Sequence, residues 1–176
     1  MTRFDHQTGV EGLALAINAY AKAGVTAWMQ DGTLLGAVRH GAPIPWDHDM
    51  DIGLMHRDWT SEADDMMRAA GFKNTANHNT PDSDYHQKWT RNRVSYCVFH
   101  YYADEDGRVW HGLNRKRYRY YYPAKFDIRP YPIMGVDIPA PYPPEAFLAL
   151  KYGPQWRHPV GLWHSDRMPF NAVRVS

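Results

Sequence analysis

One cysteine, Cys97, is all the thiol this sequence holds. That excludes an internal disulfide framework and suits a reducing compartment. No apolar run approaches the roughly 18–20 residues that a membrane-spanning helix needs. The opening stretch, MTRFDHQTGVEG, lacks the apolar segment of a secretory signal. The expectation is a soluble, cytoplasmic protein. A surplus of one charge is missing too: the formal net charge is +1, too little for whole-surface attraction to nucleic acid. The ten histidines show no metal-ligand spacing such as HExxH, so zinc is not expected. The chain also lacks internal repeats, low-complexity tracts and a flexible interdomain linker.

What is present describes a globular chain. With 176 residues, 44% hydrophobic and 22% charged, residues 1–176 read as a single domain with a real core. Aromatics are plentiful, with 7 Trp, 12 Tyr and 6 Phe, which suits either a core built partly from loops or a stacking surface. Val10, Leu13, Ile17 and Tyr20 recur at helical spacing and predict a helix from about Thr8 to Ala23, with Thr8 and Glu11 as a capping box and Gly24 beyond its end. Val25 to Met29 reads as a strand, Thr33 to His40 as a short helix, and Thr60 to Ala70 as another. From Phe72 to Val136 the pattern is short, aromatic and punctuated by turns at Asn77-His78-Asn79, Asp104–Gly107 and Met134-Gly135, as in antiparallel strands. In IPAPYPPEAFLALKYGPQW a one- to two-turn helix begins near Pro144, with Phe147, Leu148 and Leu150 facing inward. The order implies an α+β fold with a mixed sheet flanked by helices.

The chemistry concentrates in DGTLLGAVRHG, Asp31 to Gly41, and in PWDHDMDIGL just after it. Asp47, Asp49 and Asp51 alternate, and alternate residues of a strand share a face. Met50 and Ile52 then face the core. Three carboxylates on one face repel unless a cation answers them, which makes the strand a platform for a hard divalent ion. The Gly32-Thr33 turn opens a helix, where backbone amides favour an anion. Alone, GTLLG also fits small residues at a tight strand-to-helix turn, and the aspartates alone could cap turns or face arginines. Together they form the minimal apparatus for phosphoryl or nucleotidyl transfer.

DGTLLGAVRHGAPIPWDHDMDIGL resembles the signature of the LicD/fukutin-related family of the nucleotidyltransferase-fold superfamily: GTLLG, an Arg-His-Gly, then Ile-Pro-Trp-Asp-x-Asp-x-Asp. PAPYPPEAFLALKYGPQWRHP resembles that family's C-terminal block, a proline-led helix ending in Tyr-Gly and a tryptophan. The resemblance implies a nucleotidyltransferase-like α+β fold and metal-dependent transfer of a phospho-alcohol, such as phosphocholine or ribitol phosphate, from a CDP-activated donor to a glycan or other hydroxylated acceptor. It implies that Gly32 and Thr33 hold the donor phosphates and that Asp49 and Asp51 bind Mg²⁺ or Mn²⁺. Asp47 would assist as ligand or support, and Arg39 would contact phosphate. Two alternatives stand: nucleotidyl transfer from an NTP to a small hydroxylated acceptor, and a degenerate, non-catalytic nucleotide-binding member.

The superfamily pattern includes a third carboxylate from a later strand. The matching strand, Val94 to Tyr102, contains no acid, and Cys97 stands near the expected place. His100 is the candidate base instead, with Asp104 and Asp127 as other candidates. Arg115, Lys116, Arg117 and Arg119, interleaved with Tyr118 and Tyr120, read as phosphate contacts or as one solvated strand face. Cys97 reads as a buried small hydrophobe, Trp46 as a plug beside the aspartate strand, and Trp156 and Trp163 as packing against the last helix or stacking on a sugar.

Overall fold

The computed structural model describes residues 5–78, 86–113, 118–122, 126–159 and 170–174. Helix α1 (His6–Lys22) buries the expected stripe of Val10, Leu13, Ile17 and Tyr20, each worth roughly 1.5–3 kcal/mol when taken fully out of water. It starts before Thr8 because Asp5 is the cap. Asp5 accepts from the Gln7 amide at 3.1 Å and from the Thr8 hydroxyl at 2.6 Å, so Thr8 serves the cap rather than forming a box with Glu11.

Strand β1 (Ala27–Met29) leads into α2 (Asp31–His40), which ends at Gly41 with φ 66°. Strand β2 (Asp49–Met55) returns antiparallel to β1. Helix α3 (Ser61–Ala69), β3 (Lys73–His78) and β4 (His86–Arg91) carry the chain to β5 (Val94–Ala103). β5 lies parallel to β2, with Asp51 opposite Cys97 and Leu54 opposite His100. After β6 (Val109–Leu113) and β7 (Tyr118–Tyr122), a hairpin of β8 (Asp127–Ile133) and β9 (Val136–Tyr142) leads to α4 (Pro144–Tyr152), and β10 (Ala172–Arg174) pairs back onto β7.

Eight strands form one mixed sheet. One edge of β5 is taken by β2; the other is taken by β4 along Val94–Phe99 and then by β6 at Tyr102 and Ala103. The separate β8–β9 hairpin turns at Met134-Gly135, where φ is 49° and 77°, the primed geometry that suits strand twist. Met50, Ile52, Leu54, Tyr96 and Val98 are fully buried on one face of the sheet, covered by α1 and α3. There the Tyr96 hydroxyl donates to the Gly9 carbonyl at 3.4 Å and Gln87 donates to Asp64 of α3 at 3.0 Å. The opposite face carries Asp49, Asp51 and Cys97, then an aromatic layer in which Trp28, Tyr101, Tyr122 and Phe147 touch in series. Helix α4 is longer than expected, about two and a half turns. Phe147 and Leu148 are buried as anticipated, but Leu150 is 38% exposed and Lys151 turns inward instead. Among the described residues, no helix is long and apolar enough to cross a membrane.

Candidate active site

Gly32 and Gly36 lie four residues apart and therefore on one face of α2. A Cβ at Gly36 would sit 2.6 Å from the Ala42 carbonyl oxygen and 2.9 Å from the Ile44 amide nitrogen. That glycine lets the chain leaving α2 fold back against its own helix. A Cβ at Gly32 would sit 2.7 Å from Asp47 Oδ2 and 3.2 Å from Asp51 Oδ2, so this glycine makes room for the carboxylates that the returning chain brings. Three bonds lock the arrangement: the Gln30 amide donates to the Asp51 carbonyl at 3.1 Å, the Gly32 amide to Asp51 Oδ2 at 2.9 Å, and the Asp51 amide to the Thr33 hydroxyl at 2.8 Å. Thr33 is 2% exposed. Its hydroxyl holds β2 in register instead of facing open space, a placement that differs from the phosphate contact expected of it.

Only two of the three aspartates belong to the strand. Asp49 and Asp51 are the first and third residues of β2, while Asp47 sits in the turn before it. The side of the sheet is nonetheless shared, since Asp47 and Asp51 converge over Gly32. Their electrostatics show the crowding. Asp47 is pushed up to about 6, first by burial and then by the Asp49 charge. Asp51 is pushed well above the usual carboxylate range by burial and by Asp49, Asp31 and Asp47, with Lys151 opposing. Carboxylates that hold protons for want of positive charge fit a cation that would displace those protons. Oxygen ligands of this kind match Mg²⁺ or Mn²⁺. Ligand atoms of Asp49, Asp51 and Cys97 all lie within 4.8 Å of one another, and the Cys97 thiol donates to Asp49 Oδ2 at 3.4 Å. Burial and the two carboxylates push that thiol up, so in the absence of metal it stays protonated.

Asp47, Asp49 and Asp51 floor a cleft of about 420 Å³, walled by α2 and by α4 with the turn that follows it; Cys97 is buried beneath them and does not line it. Two residues that sequence reasoning missed sit here. Asp31 and Lys151, 7% and 8% exposed, form an ion pair between the first residue of α2 and the last turn of α4. Asp31 has φ 46°, a left-handed conformation uncommon for a side-chain-bearing residue. Arg39 spans the other end, donating from Nη2 to the carbonyls of Trp156 and, at 3.2 Å, of His158.

Residues 24–143 match the family described as LicD/FKTN/FKRP, nucleotidyltransferase domain. The chain belongs to that family. Human ribitol-5-phosphate transferase FKTN is 26% identical over 167 residues, covering 92% of this chain and 36% of FKTN. Human ribitol 5-phosphate transferase FKRP is 56% identical over 36 residues, 20% of this chain and 7% of FKRP. The chain thus spans about a third of the FKTN length, 36%. The lincosamide antibiotic adenylyltransferase LnuA, bound to lincomycin, has a TM-score of 0.52 at 16% identity over 74% of this chain and 78% of its own. The antibiotic-resistance factor ANT(2'')-Ia has a TM-score of 0.54 at 10% identity over 78% of this chain and 66% of its own. Both show a shared nucleotidyltransferase fold.

Several expected participants lie away from the cleft of this LicD domain. His100 is the main correction. It is 1% exposed on the α1/α3 face, three residues from Cys97 and therefore on the opposite side of the strand. Its Nδ1 lies 3.0 Å from His56 Nδ1, and burial, then His56 and His86, hold it well below the usual imidazole value. It cannot reach a substrate over Asp49 and Asp51. Asp104 accepts from the Trp110 indole at 2.7 Å and pairs with Arg119 at 3.8 Å; Asp127 pairs with Arg129 at 3.0 Å on the surface. Arg119 also stacks on Trp110 at 4.0 Å, so its charge serves the sheet. Arg115, Lys116, Arg117, Asn79 and Trp163 lie outside the described residues. Trp156 is buried as expected, but Trp46 is 54% exposed and lines the cleft rather than plugging it.

Proposed function

We propose that this LicD domain, acting over residues 1–176 as one unit, transfers a phospho-alcohol of the phosphocholine or ribitol-phosphate kind from a CDP-activated donor to a glycan or similar hydroxyl. The observation that carries the reading is the convergence of Asp47 and Asp51 over Gly32, at the N-terminus of α2, with Asp49 beside them on the floor of an open cleft. The names borne by FKTN and FKRP, both ribitol phosphate transferases, support the choice of transferred group.

Each residue has a physical task in this scheme. Gly32 lets backbone and anion approach closely, and the α2 N-terminus favours the donor's negative charge there. Asp49 and Asp51, with Asp47 in support, would hold a divalent cation, Mg²⁺ or Mn²⁺, which supplies charge neutralisation at the diphosphate and the departing CMP. Lys151 keeps the carboxylate cluster from accumulating uncompensated charge, and Arg39 fixes the turn that closes the cleft. Trp46 and Tyr152 offer aromatic surface on the cleft walls for a base or sugar ring.

The test is product identity. Incubated with CDP-ribitol or CDP-choline, Mg²⁺ and a hydroxylated acceptor, the chain should release CMP. Pyrophosphate from an NTP would instead identify nucleotidyl transfer, and binding without turnover a non-catalytic domain. Calorimetry should show donor binding that depends on the cation and is lost in an Asp49→Asn/Asp51→Asn variant. Equal binding by the variant and the parent would remove these residues from the site.

A further inference from the structure

The residue that stands where a third carboxylate is expected is a thiol with a ligand's geometry. Cys97 lies directly across the parallel ladder from Asp51, buried on the sheet face it shares with Asp49 and Asp51. Its Sγ is 3.4 Å from Asp49 Oδ2. Among the described residues, Asp49, Asp51 and Cys97 are the group whose ligand atoms gather within 4.8 Å. A tetrahedral ion bound at about 2.0 Å to oxygen and about 2.3 Å to sulfur has oxygen–sulfur edges of about 3.5 Å. Cys97 and Asp49 already stand at that spacing. Backbone pairing over the whole of β2, opposite Ser95–Tyr101 of β5, fixes the Cys97 Cα, and a single side-chain torsion then places its sulfur.

Donor softness then decides between ions. Mg²⁺ takes oxygen ligands in octahedral geometry and gains little from sulfur. Zn²⁺ and Co²⁺ accept carboxylate oxygen and are bound strongly by thiolate. We propose that Cys97 is a third metal ligand, making this an oxygen–sulfur site that takes a borderline divalent cation, of the Zn²⁺ or Co²⁺ class, in preference to Mg²⁺. The inference rests on the reading of Asp49 and Asp51 as cation ligands. Two carboxylates and one thiolate supply three protein ligands of a four-coordinate ion, and the fourth position falls to Asp47 or to an exchangeable group. When the metal–sulfur bond forms the S–H bond breaks, and the proton passes to solvent; no oxidant or reductant is involved.

Cobalt titration of the full chain, in reducing and otherwise metal-free buffer, reads the sulfur directly. One equivalent of Co²⁺ should produce a thiolate-to-cobalt charge-transfer band in the near ultraviolet that survives a large excess of Mg²⁺. Cys97→Ser should lose the band and bind Zn²⁺ more weakly by over roughly 100-fold, more than loss of an outer partner usually costs. Cys97→Asp should bind Co²⁺ without the band and gain affinity for Mg²⁺, reversing the preference. The parent chain reports by itself, so the outcome does not hang on a variant folding. Cobalt bound without a charge-transfer band, or Zn²⁺ affinity unchanged in Cys97→Ser, overturns the assignment. In that case, loss of cobalt binding in Asp49→Asn/Asp51→Asn leaves the aspartate site standing and removes only Cys97. Undiminished binding in that variant removes the aspartates as well.

Discussion

Replacing Lys151 by methionine should be among the most destabilising single changes in the chain, although the swap is polar to apolar at a buried position. The Lys151 and Asp31 side chains are 10% and 9% exposed. Methionine keeps most of the lysine stem's volume, so the packing term is small. What remains is Asp31, still buried and now facing Asp47, Asp49 and Asp51 with its counter-ion gone. Breaking one side of a buried pair costs about 3–5 kcal/mol. For a chain of this size each kcal/mol moves Tm by about 2–4 °C, so the fall should be roughly 6–20 °C. Thermal melts followed by circular dichroism in EDTA measure it. The double variant Asp31→Asn/Lys151→Met should recover most of the loss, because neutralising both partners removes the stranded charge. Addition of Mg²⁺ or Zn²⁺ should recover part of it in the single variant, since bound cation replaces some of the missing positive charge. A loss below about 1 kcal/mol, or a double variant no better than the single, would show that the pair does not carry this charge compensation.

The two glycines of α2 should fail differently. Gly36→Ala drives a methyl into the Ala42 and Ile44 backbone and should cost about 1–3 kcal/mol in denaturant melts, whereas Gly32→Ala presses on Asp47 and should weaken cation binding by calorimetry with a smaller stability loss. His111, fully enclosed beside Tyr122, is held at about 4 against an ordinary 6.5. Because its folded-state value is depressed, its contribution is complete above pH 6.5 and is lost as pH falls toward 4, a change of about 3 kcal/mol. His111→Phe should flatten that part of the stability–pH curve, and an unchanged slope would contradict the assignment. In EDTA, Cys97→Asp should be less stable than the parent by about 1–3 kcal/mol, the cost of an added buried group without a partner, and saturating Mg²⁺ should narrow the gap.

The α1 stripe and the β2 floor are legible in the sequence because each follows a period, 3.6 in one case and 2 in the other. Parity even excludes His100: residues 97 and 100 differ by an odd number, so one strand cannot place both on the same face. The GTLLG string predicts a tight turn, but its reason is two separate close approaches, to Asp47 at Gly32 and to the Ala42 carbonyl at Gly36. Neither contact is written in local sequence. Lys151 is not legible at all. A lysine beside Leu150 in a short helix reads as the solvated residue and the leucine as the buried one, and the order reverses only because Asp31 waits across the cleft. Asp5 displaces Thr8 as the cap of α1 by the same logic: several residues have the chemistry, and geometry selects among them.

The cleft brings four carboxylates, Asp31, Asp47, Asp49 and Asp51, under one helix N-terminus, and a fold can hold such a cluster without metal only by limiting its charge. One device is Lys151, which answers Asp31 from α4. Another is the choice of Cys97 on β5. A fifth carboxylate there would add a like charge to Asp49 and Asp51. A protonated thiol instead donates to Asp49 at 3.4 Å and becomes anionic only when a metal displaces its proton. The metal-free state therefore avoids a repulsion that the metal-bound state would not feel. Cysteine in place of the expected acid is in this sense not a gap in the site but a ligand whose charge appears together with the cation that needs it.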